Sequence, residues 1–185
     1  MTLIIPSLDH LPAYVAALER GWSPDNLCPE AALEQLQKIR TDAARFVASL
    51  EDPQAKAGPV VLPDGSQVPR LPSLRRWIWS DGFCGHIGLR WAPGTDALPS
   101  TCSGHIGYSV VAWRQGEGLA TGALRAILPE ARAVGLSQVE ITTSPDNPAS
   151  IRVIEKAGGV LSRSYLADPA LGGHETLAYR ITLGP

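Results

Sequence analysis

The amino-acid sequence predicts an α/β fold, a mixed and mostly antiparallel sheet with helices on both faces. Two observations carry the prediction. Between 74 and 111, strand-like runs are separated by loops rich in Gly, Pro, Asp and Ser, the economical pattern of antiparallel neighbours. From 119 onward, segments with apolar residues every three or four positions alternate with β-rich runs in the order helix, strand, helix, strand, strand. The 185 residues, 44% hydrophobic and 18% charged, suit one domain with a sizeable core, divided into an N-terminal part over 1–73 and a core part over 74–183.

In chain order, Leu3, Ile4 and Ile5, stopped by Pro6, make a first strand, and Ser7 or Asp9 can cap a helix running towards Arg20. Gly21, Pro24 and Pro29 punctuate a loop. Leu33, Leu36, Ile39, Ala43, Phe46, Val47 and Leu50 then describe one buried stripe on a single long helix over 30–50, ended by Asp52-Pro53. Prolines crowd the next stretch, where Pro63-Asp64-Gly65 between Val60-Val61 and Val68 reads as a hairpin turn or a loop. Strands are expected over 74–80, 82–91 and 105–111. Leu119, Ala123, Ile127, Ala131 and Val134 mark a helix closed by Gly135, with Pro129 inside it removing a hydrogen bond to the Arg125 carbonyl. A strand over 139–143, a helix over 150–157 ended by Gly158-Gly159, and strands over 160–166 and 176–183 complete the chain.

A net charge of −2 gives no general electrostatic reason to bind nucleic acid, although thirteen of the sixteen cations are arginine. No apolar run reaches the roughly 18 residues of a membrane span, and the start lacks the pattern of a signal peptide. A cytoplasmic protein with no membrane partner is expected. Cys28, Cys84 and Cys102 are odd in number, without C-x-x-C spacing, and read as free thiols. Gly85-His86-Ile87-Gly88 is echoed by Gly104-His105-Ile106-Gly107. Pairing through a loop near Ala97 sets Leu89, not His86, opposite His105, so the histidines stand apart and no metal site is expected.

The segment from Gly104 to Ala120 ends a strand, turns through Gly116 and Gly118 and opens a helix. A helix start leaves backbone N–H groups unpaired and suits an anion, and the two glycines permit the positive φ of a phosphate-cradling nest. Arg114 and Arg125 can add charge-assisted bonds. Neither the Walker A pattern nor the G-x-G-x-x-G dinucleotide fingerprint is present.

Gln115-x-x-Gly118-x-Ala120 resembles the R/Q-x-x-G-x-G/A signature of the GCN5-related N-acetyltransferases (GNAT), and Asp146-Asn147-x-x-Ser150 followed by Glu155-Lys156-x-Gly158-Gly159 is similar to the family's second helix motif. The resemblance covers roughly 74–183 and implies acetyl-CoA as co-substrate, no metal, and direct attack of a small-molecule or peptide amine on the thioester. It implies a splay between the strands at 104–111 and 138–143, pantetheine beside Val110, Val111 and Ala112, and an oxyanion donor at a backbone N–H near Val110. Arg114, Gln115, Gly116, Glu117, Gly118, Leu119 and Ala120 would hold the pyrophosphate, with Ser150 also at the cofactor and Asn147 at the pantetheine arm or the substrate side of its helix. Where the family often carries a tyrosine as acid, seven residues after the asparagine, this chain has Ile154. Solvent, Tyr165 or Ser144 would then supply the proton, and a catalytically silent CoA-binding module is the rival reading.

The attacking amine must lose a proton to a base with a pKa near neutrality. His105 is the first candidate, and Glu140, which alternation groups with Thr142 and Ser144, is the second. Trp22, Trp77, Trp79 and Trp91 are candidates for core or acceptor pocket. The acceptor's identity and a homodimeric state are left open.

Overall fold

The computed structural model describes residues 1–26 and 28–184. Four strands, β1 (Thr2–Ile4), β4 (Ser73–Trp79), β5 (Phe83–Arg90) and β6 (Ile106–Val110), form one antiparallel sheet in the order β1-β4-β5-β6. β7 (Gln138–Thr143), β8 (Val160–Leu166) and β9 (Glu175–Thr182) form a second, in the order β7-β9-β8. The short pair β2 (Val60–Val61) and β3 (Gln67–Val68) closes the hairpin around Pro63-Asp64-Gly65. Helices α1 (Leu11–Glu19), α2 (Ala31–Thr41) and α3 (Ala43–Ala48) belong to the N-terminal part, and α4 (Leu119–Ala133) and α5 (Pro148–Lys156) to the rest.

The single helix expected over 30–50 is two helices. Asp42 adopts an extended backbone (φ −160°, ψ 94°), and its carboxylate accepts the Arg45 N–H at 2.9 Å, capping α3. The apolar stripe survives the break because Leu36 and Phe46 still pack into one cluster. The first helix also starts later than expected. Its N-cap is His10, which makes no side-chain cap, and Ser7 Oγ bonds the His10 ring instead (2.8 Å). The register between β5 and β6 is one residue from the expected one, with Leu89 opposite Ile106 rather than His105. α5 begins two residues early, at Pro148, where proline's fixed φ suits a first helical position. α4 runs unbroken through Pro129.

Two apolar clusters flank the first sheet. On one face, Ile78, Ile87, Leu89 and Ile106 meet Leu124, Ile127 and Ala131 of α4 and Ile154 of α5, and the cluster continues through Val139 and Ile141 of β7. On the other, Trp77 and Phe83 meet Tyr14 and Leu18 of α1, with Trp22, Leu36 and Phe46. Tyr14 stacks on Trp77 with ring centroids 4.8 Å apart. Burying side chains of this size stabilises by about 1.5–3 kcal/mol each, so both faces contribute substantially to the fold. Strand alternation therefore sends Arg75, His86, Gly88, Arg90, His105, Gly107 and Ser109 to the α1 face.

Candidate active site

Backbone geometry makes the turn before α4 an anion cradle. Gly116 and Gly118 both have positive φ (84° and 77°), and Gly118 is the N-cap. A Cβ added at either would meet nothing within 4 Å, so the turn opens to its surroundings. The first helical bond of α4 runs from Gly122 N–H to the Gly118 carbonyl. The amides of Leu119, Ala120 and Thr121 therefore have no partner inside the helix and point with the helix dipole out of its start. This is the donor set that a pyrophosphate fits. The arginines expected to help are engaged elsewhere. Arg114 pairs with Glu117 at 2.8 Å and donates to the Ser80 carbonyl at 3.0 Å, and Arg125 donates to the Lys156 carbonyl at the end of α5.

The two sheets meet along β6 and β7, and the junction is closed at one end only. His105 N–H donates to the Glu140 carbonyl (2.7 Å), and Glu140 N–H donates to His105 Nδ1 (2.9 Å). Gly104 allows this approach, since a Cβ there would stand 2.9 Å from the Glu140 carbonyl oxygen. Beyond this point β6 and β7 belong to different sheets and splay apart. At the two ends of β6, His105 and Val111 bond to β5, through Arg90 and Cys84, so alternation turns the N–H and C=O of Ile106, Tyr108 and Val110 towards the splay. The Tyr108 carbonyl accepts from Asn26 and the Val110 carbonyl from Gln115, each at 3.2 Å.

The α5 side of the splay carries a hydroxyl pair that sequence reasoning missed. Tyr108 Oη and Ser150 Oγ are 2.8 Å apart, and burial raises the Tyr108 pKa. The signal was present in the alternation that sends Tyr108 to the face of Ile106, but its partner on a different element was not legible. Asn147 caps α5, its Oδ1 accepting Ser150 N–H at 3.0 Å. Ile154 is fully buried in the core and leaves no acid at the position where the resemblance implies a tyrosine.

His105, Glu140 and Tyr165 line one cleft of about 790 Å³, with Asp96, Cys102, Arg163, Asp168 and Arg180. Glu140 pairs with Arg163 (2.9 Å), whose guanidinium also lies 4.9 Å from the centroid of the Tyr165 ring. His105 is 1% exposed. Because its Nδ1 accepts a backbone N–H, the neutral ring carries its proton on Nε2, and that N–H has no partner. Burial lowers its pKa. His86 is the mirror case: one ring nitrogen bonds the Pro24 carbonyl while Nδ1 is unpartnered, and burial, reinforced by the Arg75 charge, holds its pKa well below 6.5. Trp22, Trp77 and Trp91 are core residues, and Trp22 Nε1 donates to Ser109 Oγ at 3.0 Å. Among the described residues no three His, Cys, Asp or Glu side chains gather as metal ligands, and no helix is long and apolar enough to cross a membrane.

A strand pair that splays beside a helix whose start presents free amides defines an acyl-CoA N-acyltransferase architecture. The family model described as "Acetyltransferase (GNAT) domain" matches residues 2–160, and the chain belongs to the GNAT acetyltransferase family. A search of curated proteins finds no match. Among solved structures, the chain is similar to the Microcin C7 self immunity acetyltransferase MccE in complex with acetyl-CoA and AMP (16% identity, 98% of this chain and 91% of that one, TM-score 0.61). It is also similar to the ribosomal L7/L12 alpha-N-protein acetyltransferase RimL in complex with coenzyme A (16%, 97% and 92%, TM-score 0.60). A third is the aminoglycoside acetyltransferase AAC(6')-Ib in complex with coenzyme A and kanamycin (16%, 98% and 94%, TM-score 0.58). At these identities the likeness describes the fold.

Proposed function

We propose that this protein transfers the acetyl group of acetyl-CoA to a primary amine, by direct attack within a ternary complex. The observation that carries the reading is the conjunction of two sets of free backbone donors: the amides opening α4, and the Val110 N–H turned into the splay. The first set, with Gln115 to Ala120, suits a pyrophosphate. The second suits a carbonyl oxygen that gains charge during attack, and one such donor is worth about 3 kcal/mol of barrier. Acetyl-CoA, when bound, supplies an activated acyl group on a thiol leaving group. Val110, Val111 and Ala112 would run beside its pantetheine arm, with Asn147 and Ser150 across the splay.

For proton transfer the geometry favours Glu140 over His105 as the base. His105 Nδ1 is occupied by a backbone N–H and its Nε2 already carries a proton, so it offers a donor rather than a lone pair. Glu140 offers a carboxylate in the same cleft, oriented by Arg163. On the opposite side of the splay, the Tyr108 and Ser150 hydroxyls stand in for the acid absent at Ile154. The silent-module reading draws on that same buried isoleucine. Thiol release from acetyl-CoA with a panel of primary amines, in wild type and Glu140→Gln, separates the readings. Amine-dependent release that Glu140→Gln lowers about a hundredfold or more in kcat, the scale of lost general-base catalysis, supports the enzyme. CoA binding without release on any amine supports the silent module.

A further inference from the structure

We propose that the acetyl acceptor carries an anionic group, a carboxylate or a phosphate monoester, beside its amine, and that Arg75, Arg90 and the Nε2–H of His105 receive it. The proposal deepens the acetyltransferase reading and rests on it. Strand register builds the receptor. Arg75, Gly88 and Gly107 stand in one row across β4, β5 and β6, on the α1 face of the sheet. In the next row Arg90 N–H bonds the His105 carbonyl at 2.9 Å, placing these two side chains on that face as well. The two glycines raise no side chain between them. The Arg90 guanidinium extends into the gap, its Nη2 3.4 Å from the point where a Gly107 Cβ would stand. Arg75 lies within the field of Arg90, Tyr14 and Asp25.

Charge balance separates this pair from Arg76, Arg114 and Arg163. On the opposite face Arg76 is clasped by both Glu51 and Glu130; Arg114 has Glu117, and Arg163 has Glu140. Arg75 faces the positive charge of Arg90 as well as the carboxylate of Asp25, and Arg90 lies beside the Cys102 thiol. Burial, with the charge of Arg90 adding to it, makes Arg75 a less comfortable cation than an exposed arginine. The third donor is independent of that balance. His105 is 1% exposed, its Nε2–H lacks an acceptor among the described residues, and it lines the large cleft together with Cys102. A buried donor left unpaired is a penalty that an anionic oxygen arriving with the substrate would remove. Two planar forks and one N–H match the several oxygens of a carboxylate or phosphate.

The test compares matched primary amines: L-alanine against L-alaninamide for the carboxylate, and O-phosphoethanolamine against ethanolamine for the phosphate. Each is titrated calorimetrically into the enzyme–CoA complex and assayed for thiol release from acetyl-CoA. The expected result is that the anionic member of one pair is favoured at least tenfold in binding and in kcat/KM, and the pair that shows it identifies the anion. Arg90→Gln and Arg75→Gln should each raise the KM for that amine about tenfold or more, the loss of one charge-assisted bond, with the KM for acetyl-CoA unchanged. Arg90→Lys should retain part of the preference. CoA affinity of each variant reports that it is folded. Neutral members binding and reacting as well as anionic ones, anionic members that fail to bind, or glutamine variants with unchanged acceptor KM would each overturn the proposal. Failure of the wild type to bind CoA would instead remove the acetyltransferase reading beneath it.

Discussion

The two faces of the first sheet are built on different principles. Against α4 and α5 lies a continuous apolar cluster, and its polar intruder, Arg76, is fully paired with Glu51 and Glu130. Against α1 the packing is also dense, but the three buried side-chain polar atoms without a partner among the described residues, Trp77 Nε1, His86 Nδ1 and His105 Nε2, all lie on this face. Unsatisfied buried polar atoms lower stability, and of these three His105 Nε2 belongs to a residue that lines the large cleft. Both faces pack a core, and the proposed acceptor recognition belongs to the α1 face.

The largest effect expected to break this division is in the α4 cluster. Ile127 is fully buried there, and Ile127→Ala should cost about 2–5 kcal/mol in urea unfolding, with kcat changing little at temperatures where the variant is folded. A kcat loss larger than the stability loss would show that the α4 face also recognises the acceptor. Next comes the turn. Gly118→Val places a β-branched residue at φ 77° over the free amides, and CoA affinity should fall tenfold or more in calorimetry. Unchanged affinity would move the anion away from α4.

His105 sharpens the comparison because its two nitrogens serve different ends. His105→Leu leaves the Glu140 N–H without an acceptor and should lower stability by about 1–3 kcal/mol. His105→Asn can still accept that N–H through its side-chain oxygen, so it should lie closer to wild type in stability while losing the Nε2–H. Equal destabilisation by both would argue against the tie between β6 and β7. The most gradual effect is with pH. His86 and His105 have folded pKa values below 6.5, chiefly through burial, so below that pH the unfolded chain binds more protons than the folded one. Stability should be full above pH 6.5 and fall as pH drops below it, by about 1.4 kcal/mol per unit for each histidine until its folded pKa is reached. A flat profile between pH 7.5 and 5.5 would contradict the burial of both rings.

Much of this was legible in the residues. Spacing of three and four placed α4, and Gly116 and Gly118 marked the positive-φ turn that opens it. His105 and Glu140, read as separate candidates on two strands, line one cleft. What spacing could not show was long-range. The break at Asp42 preserves the apolar period, so only its extended backbone reveals two helices where the stripe implied one. A one-residue register error hid Arg90 beside His105, and with it the arginine row over Gly88 and Gly107. Tyr108 and Ser150 are 42 residues apart and meet only because β6 and α5 face each other across the splay. The state of His105 depended on a backbone N–H from β7, which no sequence pattern reports.

Hydrogen exchange, measured on the free protein, with CoA, and with CoA plus the preferred amine, addresses the division of the two faces most directly. CoA should slow exchange at the amides of 116–121 and of Val110, and addition of the amine should extend protection to the strands carrying Arg75, Arg90 and His105. CoA protection confined to the α1 face, with the opening of α4 unchanged, would contradict the account.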